Sequence, residues 1–188
     1  FIYSLFIKLK KYYFNMNKVF ILKYKRTPIC SFQSSFINLG AVELGVLNIK
    51  ELIKDFDKNL IEKAFIGNVL SAGLGQNVAR QILLKSDLNI PSITLNNVCG
   101  SGIQSLIEGF NSIRGGNYDC ILVGGTESMS NAPYLQRNIR RGKKLGNIEL
   151  VDSLLCDGLT DSFCNKHMGI LSENISKKNN ILKEEQDD

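Results

Sequence analysis

Four short apolar runs, each followed by a helix-periodic stretch or a glycine pair, set the fold class of this 188-residue chain. Lys18 to Lys23 reads as a buried strand, and Val42 to Phe56 follows with a broad stripe of Val42, Leu44, Leu47, Ile49, Leu52 and Ile53 at helical spacing. Lys63 to Gly67 reads as a second strand, Gly73 and Gly75 as a turn, and Gln76 to Lys85 as a second helix. Ile93 to Val98 is the third strand. Gly100 to Arg114 is the third helix, closed by Gly115 and Gly116. Tyr118 to Val123 is the fourth strand, ending in Gly124 and Gly125. Strands alternating with helices of about ten to fifteen residues imply βαβ units and an α/β fold with a mostly parallel sheet between helices. The third helix places Ile103, Leu106, Ile107, Phe110 and Ile113 on one stripe, so that stripe is expected to face the sheet.

Beyond Gly125 the texture changes. Turn residues and charges abound through Asp161, and no period is sustained. Gln136 to Leu145 is a basic patch, read either as a solvated loop or as a contact for phosphate groups or a neighbouring subunit. Gly169 to Asp188 is helical in part. The first fifteen residues are aromatic, aliphatic and basic, and they precede Met16, a plausible natural start; they read as an extension or upstream translated sequence outside the domain. Targeting is the other reading, although Arg and Ser are scarce for a mitochondrial presequence and the apolar run is short for a bilayer span.

Composition excludes several classes. At 44% hydrophobic and 22% charged residues, the chain can bury a sizeable core of one domain or slightly more. The net charge of +5 suits a polyanionic ligand but is too mild for nucleic acid, and no zinc-finger spacing or RNA-binding aromatic signature is present. Neither a nucleic acid nor a membrane partner is expected. The five cysteines (30, 99, 120, 156, 164) include no CxxC pair. Their odd number fits free thiols in a reducing compartment, so a cytoplasmic location is expected, with mitochondria the alternative. The turn at Gly73-Leu-Gly75 fails as a dinucleotide fingerprint, since Val78 stands at the third glycine position.

Cys99 carries the sharpest chemistry. It lies in Thr94-Leu-Asn-Asn-Val-Cys-Gly-Ser-Gly102, where a strand-like run meets a helix. The N–H groups and positive dipole end of that helix favour thiolate over thiol, and Gly100 and Gly102 keep bulk away from the sulfur. Two local readings stand side by side: a nucleophile, or a buried structural cysteine. His167, the single histidine, is equally open between a structural or merely exposed side chain and a site residue. Met168 taken alone is core filler.

From Arg26 to Asp187 the chain resembles the thiolase family, and within it the short-chain acetoacetyl-CoA thiolases. The resemblance rests on Arg26-Thr-Pro28, Gly67 to Arg80, Asn97-Val-Cys-Gly-Ser-Gly102, Gly124-Gly-Thr-Glu-Ser-Met-Ser130, Ala132-Pro-Tyr-Leu135, Asp157-Gly-Leu-Thr-Asp161 and His167-Met-Gly-Ile170, in that order. It implies a thiolase-like fold. Residues 16–125 would be the first part of the N-terminal domain, and 126–188 the start of an inserted loop domain that covers the acyl-CoA channel and contributes to oligomer contacts. It assigns Cys99 as the acyl-accepting nucleophile, Leu159 to the pantetheine arm, and His167 and Met168 to the pocket wall near a short acyl group.

The implied reaction is a Claisen exchange. The Cys99 thiolate takes an acetyl group from acetyl-CoA, and the carbanion of a second acetyl-CoA attacks the thioester to give acetoacetyl-CoA; thiolysis is the reverse. The Cys99 N–H is one possible oxyanion donor. Coenzyme A thioesters are substrates here, no metal or other cofactor is expected, and a homodimer or tetramer is implied for a full-length protein. Three further groups that a thiolase uses have no counterpart in this sequence: an Asn-Glu-Ala-Phe-type motif, a histidine that activates the cysteine, and a second cysteine in a Cys-Gly-Gly context. The chain is therefore expected to be inactive alone. The alternatives are a non-catalytic thiolase-derived binding module, a longer-chain 3-ketoacyl-CoA thiolase or a related condensing enzyme. Cys30 departs from the glycine usual in that position.

Overall fold

The computed structural model describes residues 2–7 and 18–188, with side chains from residue 18 onward. Contacts divide the chain into two compact units, Phe1–Ala132 and Pro133–Asp188.

The first unit is an α/β sheet structure. Its strands are β1 (Ile2–Ile7), β2 (Phe20–Arg26), β3 (Lys63–Gly67), β4 (Ser92–Leu95) and β5 (Cys120–Gly125), in the order β2-β1-β5-β3-β4. β3 runs parallel to both β4 and β5, as two successive crossovers require. α1 (Ala41–Ile53) and α2 (Val78–Lys85) cover one face, and α3 (Ser101–Arg114) covers the other. Period-two alternation in β3 and β5 sorts the core between them. Ala64, Ile66, Cys120 and Leu122 pack with Ile49, Leu52, Ile82 and Leu83 from α1 and α2. Phe65, Ile121 and Val123 pack with Ile113 of α3. Asn77 pins α2 to β4: its Oδ1 accepts from the Arg80 N–H at 3.1 Å and the Thr94 hydroxyl at 2.8 Å, while its amide donates to the Ser92 carbonyl.

Three expectations from sequence change here. Residues 2–7, read as part of an extension, form β1 inside the sheet, antiparallel to β2 on one side and β5 on the other. The run Ile-Tyr-Ser-Leu-Phe-Ile has the β-branched and aromatic content of a strand, and two facing ladders are available to it. The strand expected to be buried at Lys18 to Lys23 is instead the sheet-edge strand β2, with Ile21 56% and Tyr24 71% exposed. An edge strand has neighbours on one side only, so an apolar run does not secure burial.

The third change concerns α3. Its buried residues are Ser101, Ser105, Gly109 and Ile113; of the expected stripe, Ile113 and the partly buried Leu106 do meet the sheet-side core, while Ile103 is 66% and Ile107 45% exposed. The small residues win the sheet side because they let the helix lie close. A Cβ placed on Gly67 of β3 would stand 2.6 Å from the Ser101 carbonyl carbon. Close approach of backbone to backbone selects this face over the more apolar one.

In the second unit, β6 (Tyr134–Leu135) pairs antiparallel with β7 (Val151–Asp152). A π-type turn spans Leu154–Leu159, and α4 (Met168–Asn179) and α5 (Lys183–Asp187) follow. Among the described residues, no helix is long and apolar enough to cross a membrane.

Candidate active site

Cys99 lies in the connection between β4 and the start of α3, and its side chain is exposed. The local reading of a buried structural thiol is therefore overturned. The backbone just before it is unusual: Val98 has φ +47°, the left-handed region that β-branched residues avoid. Hydrogen bonds close around this turn. The Gly100 N–H donates to the Asn97 carbonyl and the Ser101 N–H to the Val98 carbonyl, both at 3.0 Å. The Val98 N–H donates to Asn96 Oδ1 at 3.0 Å. Strand, left-handed residue and helix start thus form a sharp elbow with the thiol at its outer side. Such strain is tolerated where the surroundings hold it, and it concentrates at functional positions. No side chain caps α3. Its Gly102 and Ile103 N–H groups find no acceptor among the described residues, so the positive end of the helix remains open beside Cys99.

A second polar cluster braces the strand ends next to the elbow. The Glu127 carboxylate accepts from the Val69 N–H at 2.9 Å, the Leu70 N–H at 3.3 Å and the Asn68 side-chain amide at 3.0 Å. The Asn68 N–H reaches the Leu95 carbonyl, and the Thr126 N–H reaches the Gly67 carbonyl. The carboxylate of Glu127, just past β5, therefore ties to the residues that follow β3, and the Asn68–Leu95 backbone bond carries the link on to β4. Burial pushes the Glu127 carboxyl above the usual carboxylate range, while the donors from Val69, Leu70 and Asn68 pull the other way. A cavity of about 400 Å³ opens beside it, lined by Arg26, Cys30, Phe32, Phe36, Glu127 and Met129 among others.

The other cysteines differ from Cys99. Cys120 is buried in β5, and burial together with nearby Glu62 pushes its thiol up to about 12. In the second unit, Arg137 donates to the Cys156 sulfur. Cys164 is exposed, and its N–H donates to Asp161.

Within the second unit, Leu159 is half-buried at the end of the π-type turn, and Met168 is 40% exposed at the first position of α4. His167 is exposed and caps α4, its Nδ1 accepting from the Gly169 N–H at 3.0 Å. A Cβ on Gly169 would crowd that nitrogen at 3.3 Å, which gives the His-Met-Gly sequence a local physical reason. With Nδ1 accepting, Nε2 carries the proton of the neutral ring and is left as a donor. Thr160 and His167 bridge the turn, placing Leu159 and Met168 one residue beyond either side of it. The basic patch at Arg137, Arg140, Arg141, Lys143 and Lys144 forms no ion pair among the described residues.

Sequence reasoning located Cys99 but missed the parts that shape its surroundings. Val98 gives no warning in sequence, since a β-branched residue argues against a left-handed turn. Gly67 and Ser101 each stand in the motifs quoted above, but only the folded chain shows that they touch. Glu127 is one acidic residue among eighteen, and its partners lie nearly sixty positions away.

Comparison with known proteins is consistent across sequence and structure. The family described as "Thiolase, N-terminal domain" matches residues 19–188. An acetyl-CoA acetyltransferase of Pseudomonas aeruginosa is 43% identical over 176 residues, which is 92% of this chain and 45% of that protein. A probable acetyl-CoA acyltransferase of Staphylococcus aureus shows the same identity and coverage. Among solved structures, the Acat5 thiolase of Ascaris suum in complex with coenzyme A superposes with a TM-score of 0.78 at 41% identity, covering 84% of this chain and 42% of that one. The chain thus spans about half the length of these relatives.

Proposed function

This chain belongs to the thiolase family, and from that membership we propose that it carries the nucleophile-bearing part of an acetyl-CoA C-acetyltransferase, with Cys99 as the acyl acceptor. The observation that carries the reading is the exposed Cys99 at the strained turn into α3, beside the open N-terminus of that helix. A thiolate there attacks the carbonyl carbon of acetyl-CoA, the C–S bond to coenzyme A breaks, and the leaving thiolate takes a proton to become free coenzyme A. Leu159, His167 and Met168 are proposed as the wall against the pantetheine arm and a short acyl group, with the His167 Nε2–H as a donor. The substrates proposed are acetyl-CoA and acetoacetyl-CoA, and the two curated relatives named for acetyl-CoA chemistry support that choice.

Carbon–carbon bond formation needs a base for the second acetyl-CoA. The His167 Nδ1 is engaged by Gly169, and Cys120 stays protonated at neutral pH, so neither is placed to serve. Residues 1–188 are therefore proposed to accept an acetyl group without completing the condensation. A homo-oligomeric full-length protein and a cytoplasmic or mitochondrial location belong to the same proposal; five unpaired cysteines support a reducing compartment.

The test is acetylation of the chain itself. Incubation with acetyl-CoA followed by peptide mass spectrometry should place one hydroxylamine-labile acetyl group on Cys99. Acetyl spread over Cys99 and Cys164 alike, or absent altogether, would remove the nucleophile from the reading and leave a non-catalytic module.

A further inference from the structure

One hydroxyl sits at the centre of the Cys99 elbow. Ser101 is only 3% exposed. Its Oγ accepts from the Asn97 N–H at 2.9 Å and donates to the Val98 carbonyl at 2.6 Å. It therefore grips the residues on both sides of the Asn97–Val98 peptide bond. The same Val98 carbonyl also receives the Ser101 N–H. Val98 would not hold φ +47° unaided, because its branched Cβ crowds the backbone in that region.

The space around Ser101 is fixed by β3. A Cβ on Gly67 would stand 2.8 Å from the Ser101 Cβ and 2.7 Å from its carbonyl oxygen. Gly67 thus lets Ser101 sit deep enough to reach back to Asn97 and Val98. A bare methyl at 101 would fit but could make neither bond.

We infer that Ser101 is a positioning residue for Cys99: its buried hydroxyl holds Val98 in the left-handed conformation that turns the chain from β4 into α3 and leaves the Cys99 thiol exposed at the helix start. This rests on the reading of Cys99 as the nucleophile. It predicts a dependence that a general packing role does not share. The loss caused by removing the hydroxyl should be repaired by a residue that adopts left-handed φ at no steric cost.

The experiment uses the whole chain, with iodoacetamide as the probe and the exposed Cys164 as an internal rate standard. Parent, Ser101→Ala, Val98→Gly and the double variant are compared by mass spectrometry at fixed pH. In the parent, Cys99 should react well ahead of Cys164; equal rates there would defeat the nucleophile reading and not this one. Ser101→Ala should lower the Cys99 to Cys164 ratio by about tenfold, as expected for two lost hydrogen bonds. Val98→Gly alone should stay within about twofold of the parent, and the double variant should recover most of the loss. An unchanged ratio in Ser101→Ala overturns the inference, and so does a loss that Val98→Gly fails to repair. If Ser101→Ala abolishes cooperative unfolding, the double variant must restore it; a double variant that stays unfolded also overturns the inference.

Discussion

Replacing Gly67 with alanine tests the contact on which the whole site depends. The added Cβ would lie 2.6 Å from the Ser101 carbonyl carbon, and ordinary contact begins at 3.4 Å, so β3 and α3 must separate by about 0.8 Å to reach it. The obstructing atoms are helix backbone, and no rotamer change relieves them. Overpacking of this kind costs about 1–3 kcal/mol. The separation also stretches the bonds from Ser101 to Asn97 and Val98, each worth about 1 kcal/mol. A total near 3 kcal/mol lowers the midpoint of thermal unfolding by about 6–12 °C for a chain of this size. Gly73→Ala is the matched control: no atom lies within 4 Å of its new Cβ, and only the left-handed φ of +75° opposes it, at about 1 kcal/mol. Calorimetry on both variants, with the iodoacetamide rate of Cys99 measured in parallel, checks the reasoning. A Gly67→Ala protein as stable as Gly73→Ala, with unaltered Cys99 reactivity, would show that α3 does not rest on β3 as described.

Other perturbations read different parts of the molecule. Cys120, with its thiol pushed up to about 12, should be the last of the five cysteines alkylated in the native protein at mildly alkaline pH; early labelling there would mean that β5 is not buried. Ile113→Ala should cost about 3 kcal/mol in a urea titration, whereas Ile107→Lys on the exposed side of α3 should stay within about 0.5 kcal/mol. The reverse order would put Ile107 rather than Ile113 against the sheet. Glu127 should leave a signature in pH dependence. Its carboxyl is raised in the folded protein, so its contribution to stability is complete below the unfolded value and declines as pH rises through the folded one. The stability of the parent relative to Glu127→Gln should therefore fall as pH rises above the ordinary glutamate range, and a pH-independent difference would contradict the assigned burial.

What the sequence determined by itself is everything that local chemistry encodes. The strand at Lys63–Gly67 was legible to the residue, the three helices of the first unit to within three, and α3 ends at the glycine pair that closes it. Cys99 was legible as a residue at a strand-to-helix junction, because β-branched residues and glycines flank it in a fixed order. Tertiary structure decided the rest. Hydrophobic periodicity shows that a helix has a preferred face but not which neighbour that face meets. For α3 the outcome went to Ser101, Ser105 and Gly109, since closeness to Gly67 outweighed the apolar area of Ile103 and Ile107. The same limit hid the edge position of β2, the place of residues 2–7 between β2 and β5, and the partners of Glu127. The left-handed φ of Val98 shows it most clearly. No propensity would place a branched residue there, and the conformation exists because a buried hydroxyl, a helix start and a glycine on another strand are brought together around it.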